Sequence, residues 1–101
     1  MSETALVNAC LIFLRSQGVM AWRVNTGAMT IRARGHRTRF VRFGMVGQSD
    51  ILGVVGRPSG RFLAVECKRK PNKPTWAQSQ FLEEIRAHGG LGWVVYEIED
   101  L

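Results

Sequence analysis

The chain has little with which to do the chemistries that depend on cysteine and histidine. Its 101 residues include two cysteines, Cys10 and Cys67, and two histidines, His36 and His88. Two cysteines are too few for a disulfide framework, and the four residues together show no zinc-like spacing. Each cysteine lies in an apolar run, where a free thiol behaves as a small hydrophobe, as suits a reducing cytosol. Neither histidine has an evident Ser or Cys partner, which removes support for nucleophilic catalysis. The apolar stretch Ala5–Leu14 is too short to span a bilayer and contains Asn8. It follows an acidic N-terminus, unlike a secretory signal, so no membrane partner is expected. The glycines around residues 44–53 match neither standard phosphate-binding loop. Repeats, linkers and low-complexity segments are missing, and the length suits one domain spanning residues 1–101.

Acidic residues are also scarce. Fourteen Lys and Arg face eight Asp and Glu, for a net charge of +6. The apolar share of 46% and charged share of 22% are those of a soluble globular chain, so the excess of positive charge points to a polyanionic partner. Its distribution strengthens that reading. Arg32, Arg34, Arg37, Arg39 and Arg42 cluster with His36, and Arg69, Lys70 and Lys73 form a second group.

The patterning predicts an α/β chain. Residues 3–17 read as an amphipathic helix with Ser2 as N-cap, an apolar stripe of Leu6, Cys10, Phe13 and Leu14, and a stop at Gly18. Val19–Asn25 reads as a strand. Ala28–Phe43 reads as a ribbon with its tip at Gly35-His36 and outward residues that are nearly all arginine. Gly44–Ser49 is expected to be a flexible approach to the next strand. Ile51–Val55 and Phe62–Cys67 form a hairpin through Gly56-Arg-Pro-Ser-Gly60. Apolar residues on both hairpin faces imply helices above and below, or a helix and a partner subunit. After Pro71–Pro74, Thr75–His88 reads as a second helix with Phe81, Leu82 and Ile85 inward, stopped by Gly89-Gly90. Leu91–Ile98 is the last strand. Trp22, Trp76 and Trp93 are expected in the core, with base stacking by Trp76 as the lesser alternative. The whole is a mixed central sheet flanked by helices, in the order α-β-ribbon-β-β-α-β.

The hairpin brings chemistry together. Pairing centred on Pro58 sets Asp50 opposite Glu66, and Lys68 projects from the same face because strand side chains alternate. Unpaired charges at the ends of apolar strands are costly, so two carboxylates and a lysine there suggest a divalent-metal site. Mg²⁺, or Mn²⁺, takes oxygen ligands and keeps several waters, leaving room for a phosphate oxygen. Lys68 would orient or deprotonate an attacking water, or neutralise charge on phosphorus. The competing reading of the trio is a solvated cross-strand ion-pair cluster.

The residues Arg23-Val-Asn-Thr-Gly27, Gly47-Gln-Ser-Asp-Ile-Leu-Gly53, Gly60-Arg-Phe-Leu-Ala-Val-Glu-Cys-Lys68, and Thr75-Trp-Ala-Gln78 with Gly89-Gly90 resemble the VRR-NUC branch of the PD-(D/E)xK nuclease superfamily over nearly the whole chain. The resemblance implies a restriction-endonuclease-like core and a metal-dependent, structure-specific DNA endonuclease, with Holliday-junction resolvase-like activity on branched DNA. It implies Asp50 and Glu66 as metal ligands, Cys67 as a ligand through its carbonyl, and Lys68 as catalytic. Glu3 resembles a further ligand on the first helix; otherwise it is an acid favoured by the helix dipole. Gln78 resembles a glutamine placed beside the active site; otherwise it completes a capping box with Thr75. Ser49 stands where the superfamily's naming proline would be. A homodimer acting in a bacterial or phage-infected cytoplasm is the implied setting. The arginines, with Arg69 and Lys70, would contact DNA phosphates. Two rivals stand beside the nuclease: a non-catalytic nucleic-acid-binding module, and an assembly or packaging component.

Overall fold

The computed structural model describes the backbone of residues 1–24, 27–32, 38–43, 45–56 and 59–101, and the side chains of these apart from 27–32 and 38–43. Helix α1 spans Glu3–Ser16; strands β1 Met20–Arg23, β2 Gly27–Arg32, β3 Thr38–Phe43, β4 Ile51–Val55 and β5 Arg61–Cys67 follow; helix α2 covers Trp76–Ala87 and β6 Leu91–Val95. A mixed four-stranded sheet runs in the order β1-β4-β5-β6, while β2 and β3 form a separate two-stranded sheet. The expected α/β architecture, a mixed sheet flanked by helices, is the one observed.

The central hairpin has the register expected of a turn centred on Pro58: Ile51 pairs with Val65 and Val55 with Arg61. Arg57 and Pro58 themselves lie outside the described residues. β6 joins β5 in parallel, with Leu63 opposite Leu91 and Cys67 opposite Val95. That crossover needs α2, which packs on β5 and β6.

One face of the sheet is sealed by α1. Leu6, Val7, Cys10, Leu11 and Leu14 meet Ala21, Ile51, Leu63, Val65, Cys67 and Val95 in one buried cluster. Ser2 Oγ accepts from Ala5 N at 3.1 Å and starts the helix, and Gly18, at φ 79°, ends it. The other face is only partly covered. Leu82 of α2 is buried, and Gly92 lets it approach, because a Cβ there would come within 3.2 Å of the Leu82 carbonyl.

Several expectations are corrected. Trp22, Trp76 and Trp93 are 38%, 78% and 37% exposed, so none belongs to the core. Trp76 is the first residue of α2, and Trp22 lies on β1, whereas α2 packs on β5 and β6. The last strand stops at Val95, because Asp100 Oδ2 accepts from the N–H groups of Tyr96 (2.8 Å) and Glu97 (3.1 Å) and draws the chain into a 3-10 turn at Ile98–Asp100. The approach to Asp50 is an organised turn: Gln48 N donates to the Met45 carbonyl, and Gln48 Oε1 accepts from Met45 N, both at 3.1 Å. In the ribbon, Arg42 pairs with Ala28 and Arg32 with Thr38, whereas Arg39 pairs with Ile31. Arg34, Arg37, His36 and the ribbon tip lie outside the described residues.

Candidate metal and phosphodiester site

The site forms where β4 begins and β5 ends. Ile51 and Val65 are the last residues that β4 and β5 pair with each other, and beyond them a side chain takes over from the β4 main chain. Asp50 O accepts from Val24 N at 2.8 Å, which anchors the residue to β1's end. Asp50 Oδ2 accepts from Cys67 N at 2.8 Å. One carboxylate thus closes the hairpin and leans towards the next residue pair.

Glu66 alternates away from the α1 face yet is only 2% exposed. Its Oε1 lies 3.9 Å from Lys68 Nζ, and Lys68 is itself mostly buried. Its Oε2 is buried with no hydrogen-bond partner among the described residues. Burial, followed by the Asp50 charge, pushes the Glu66 carboxyl up to about 8, against the weaker pull of Lys68. Asp50 is also raised, chiefly by burial; the Cys67 N–H opposes this, Glu3 adds to it, and Lys68 and Arg23 reduce it. The Asp50 charge destabilises the ionised form of Glu66, and Lys68 does not compensate. A cation shared between them would.

Glu3 belongs to this neighbourhood. From the first turn of α1 its Oε2 accepts from Arg69 N at 3.4 Å, and its charge raises both other acids. A groove of about 410 Å³ opens beside it, lined by Glu3, Lys68, Arg69, Lys70, Tyr96 and Glu97 among others. Lys70 Nζ stands 5.8 Å from the Tyr96 ring centroid. Gln78 has a structural duty: Thr75 N donates to its Oε1 at 2.8 Å, and Gln78 N donates to Thr75 Oγ1 at 3.2 Å. The capping box is complete. The Cys67 thiol is buried beside Cys10, and burial raises both thiols. It therefore points into the α1 core, and only the Cys67 main chain is at the site.

Among the described residues no group of three or more His, Cys, Asp and Glu side chains is gathered closely enough to hold a metal ion. The donors that fit one are the two carboxylates, including the orphaned Glu66 oxygen. Such a sparse, all-oxygen set suits a hard cation that retains water, and it does not suit zinc.

The sequence reading gave no site role to Arg23 or Tyr96. Arg23 pairs opposite Ile51, and continuing the hairpin register into β1 would have found it. Tyr96 reaches the groove only because the chain turns after Val95, and no local pattern signals that. No protein-family model, curated protein or solved structure matches the chain.

Proposed function

We propose that the protein is a metal-dependent DNA endonuclease that hydrolyses phosphodiester bonds at Asp50, Glu66 and Lys68. The observation that carries the reading is the Glu66 carboxylate: buried, orphaned at one oxygen, and held next to a second acid that makes its ionisation harder. A structural ion pair would be expected to lower that carboxyl instead. Mg²⁺ or Mn²⁺, when bound, supplies Lewis-acid polarisation of the phosphate and an acidified water.

The chain's own residues do the rest. Asp50 and Glu66 present oxygens from two adjacent strands, and the Cys67 N–H fixes the first of them. Lys68 holds a positive charge next to Glu66, where it can meet charge developing on a phosphate oxygen or orient the attacking water. Arg69 and Lys70 continue from Lys68 along the groove and offer contacts to flanking phosphates. The chain leaves the four-stranded sheet after Arg23 and rejoins it at Ile51, next to Asp50, so the arginine-rich segment is inserted at the site's own edge. Branched or junction DNA as substrate, and a homodimer as the acting form, come from the VRR-NUC resemblance.

A non-catalytic nucleic-acid-binding module is the second reading. It is favoured by the lack of a three-ligand cluster among the described residues. Incubating the protein with plain, single-stranded, flap and four-way-junction DNA separates the two. The endonuclease cuts at least one of these with Mn²⁺ or Mg²⁺ and stops when chelator is added. Intact substrates under every metal condition would remove the endonuclease, and retained binding to these DNAs would then favour the binding module.

A further inference from the structure

Three large apolar side chains stand in solvent around the loop that delivers Asp50. Met45 is 64% exposed, Val46 67% and Trp76 78%. Scattered exposed hydrophobes are ordinary, but these are drawn together. Gly47, at φ 79°, lies so close to α2 that a Cβ there would overlap the Ala77 carbonyl. The contact pins the 45–48 turn against the first turn of the helix, so that Val46 and Trp76 are each the chain neighbour of a residue in the contact.

The ledge is at the reactive end of the sheet. Gly90, just past α2, abuts the Phe62 carbonyl near the start of β5, so the helix begins at the other end, where Glu66 and Lys68 emerge. Trp76 is the first residue after the N-cap Thr75, and its side chain has no packing duty.

We propose that Met45, Val46 and Trp76 form a platform for unpaired DNA bases next to the scissile phosphate. The inference rests on the nuclease reading and names what that site accepts: DNA in which one or two bases are unstacked, as at a branch, flap or single-stranded end. Three side chains are too small a surface for a stable protein partner, which needs about 800 Å² from each side. They suit the face of one or two bases, which stack on aromatic rings irrespective of sequence. Apolar residues that wedge against base steps serve proteins that recognise distorted DNA. The surrounding charge fits the same occupant, since the chain carries +6 and Lys68, Arg69 and Lys70 follow β5 at the same end of the sheet.

The test measures binding in chelator, with no cleavage, to a fluorescent flap or single-stranded oligonucleotide and to a fully paired duplex of equal length. Trp76→Ala is expected to weaken binding to the DNA with unpaired bases by about 5- to 100-fold, and to leave duplex binding within about twofold. Trp76→Phe should recover most of the loss, and Met45→Ser with Val46→Ser should reproduce part of it. Equal loss on both DNAs, or no loss on either, overturns the platform while leaving the nuclease reading standing. Sedimentation showing that Trp76→Ala converts a dimer into monomers also overturns it, because the ledge would then belong to a second copy. Wild-type protein that binds none of these DNAs ends both proposals.

Discussion

Asp50 and Cys67 are joined by a hydrogen bond from the Cys67 N–H to Asp50 Oδ2 at 2.8 Å, so a side chain replaces the main-chain acceptor that β4 no longer provides there. The same carboxylate raises the pKa of Glu66. Asp50 thus supports the hairpin while opposing the charge of its neighbour, and the two effects separate by substitution.

Asp50→Asn keeps an acceptor for Cys67 N–H and removes the negative charge, whereas Asp50→Ala leaves the N–H unpaired. The alanine variant should lose about 1–3 kcal/mol of stability relative to the asparagine variant in urea unfolding. In Asp50→Asn the Glu66 carboxyl should titrate lower than in the wild type, as followed by NMR of its side-chain carbon.

The Glu66 carboxyl titrates near 8 in the folded protein and near 4.5 without the fold's influence. The folded state therefore holds a proton that the unfolded chain has released between these values. Stability should fall as pH rises from about 4.5 to 8, by on the order of a few kcal/mol, and then level off. Glu66→Gln should flatten that slope. Divalent-metal affinity should run the other way and rise towards pH 8, because the ion competes with the proton. Thermal unfolding against pH, with and without Mn²⁺, checks both signs.

Much of this arrangement was legible in the sequence because it is local. The apolar runs at 51–55 and 62–67, bounded by Gly56 and Gly60, admit few registers, and the correct one puts Asp50 and Glu66 together. Thr75-x-x-Gln78 marks the start of α2 by its capping chemistry alone. The tryptophans were misplaced for a different reason. Hydrophobicity measures what a side chain gains from burial, and it does not say whether a covering surface exists; Leu82 of α2 reaches Gly92, but Trp22 and Phe62 stay more than a third exposed. The order in the 45–48 turn was hidden as well, since Gly47 owes it to a contact with Ala77, thirty positions further along the chain.

Gly47→Ala tests that contact. The substitution combines a left-handed backbone with overlap on the Ala77 carbonyl. It should cost about 1–3 kcal/mol in chemical denaturation. Asp50, three positions on, should be displaced with the turn, so Mn²⁺ should stabilise the variant less than it stabilises the wild type.

Gln78 carries a capping duty whatever else it does, and a graded pair of variants isolates it. Thr75→Ala removes the N-cap and should cost about 1 kcal/mol. Gln78→Glu preserves the reciprocal capping bond and should stay close to wild-type stability. If Gln78 also positions substrate or Lys68, the glutamate variant should lose cleavage despite its intact fold; unchanged cleavage would confine the residue to capping.

The central claim is that Lys68 works with the acid pair on a phosphodiester bond. Its most direct test is Mn²⁺-dependent cleavage of an end-labelled DNA junction by wild-type protein and by Lys68→Ala, with binding of each measured in chelator. Cleavage by the wild type, a loss of at least about 100-fold in the variant, and DNA affinity within a few-fold of wild type are the predicted results. Undiminished cleavage by Lys68→Ala, or no cleavage by the wild type, would contradict the account.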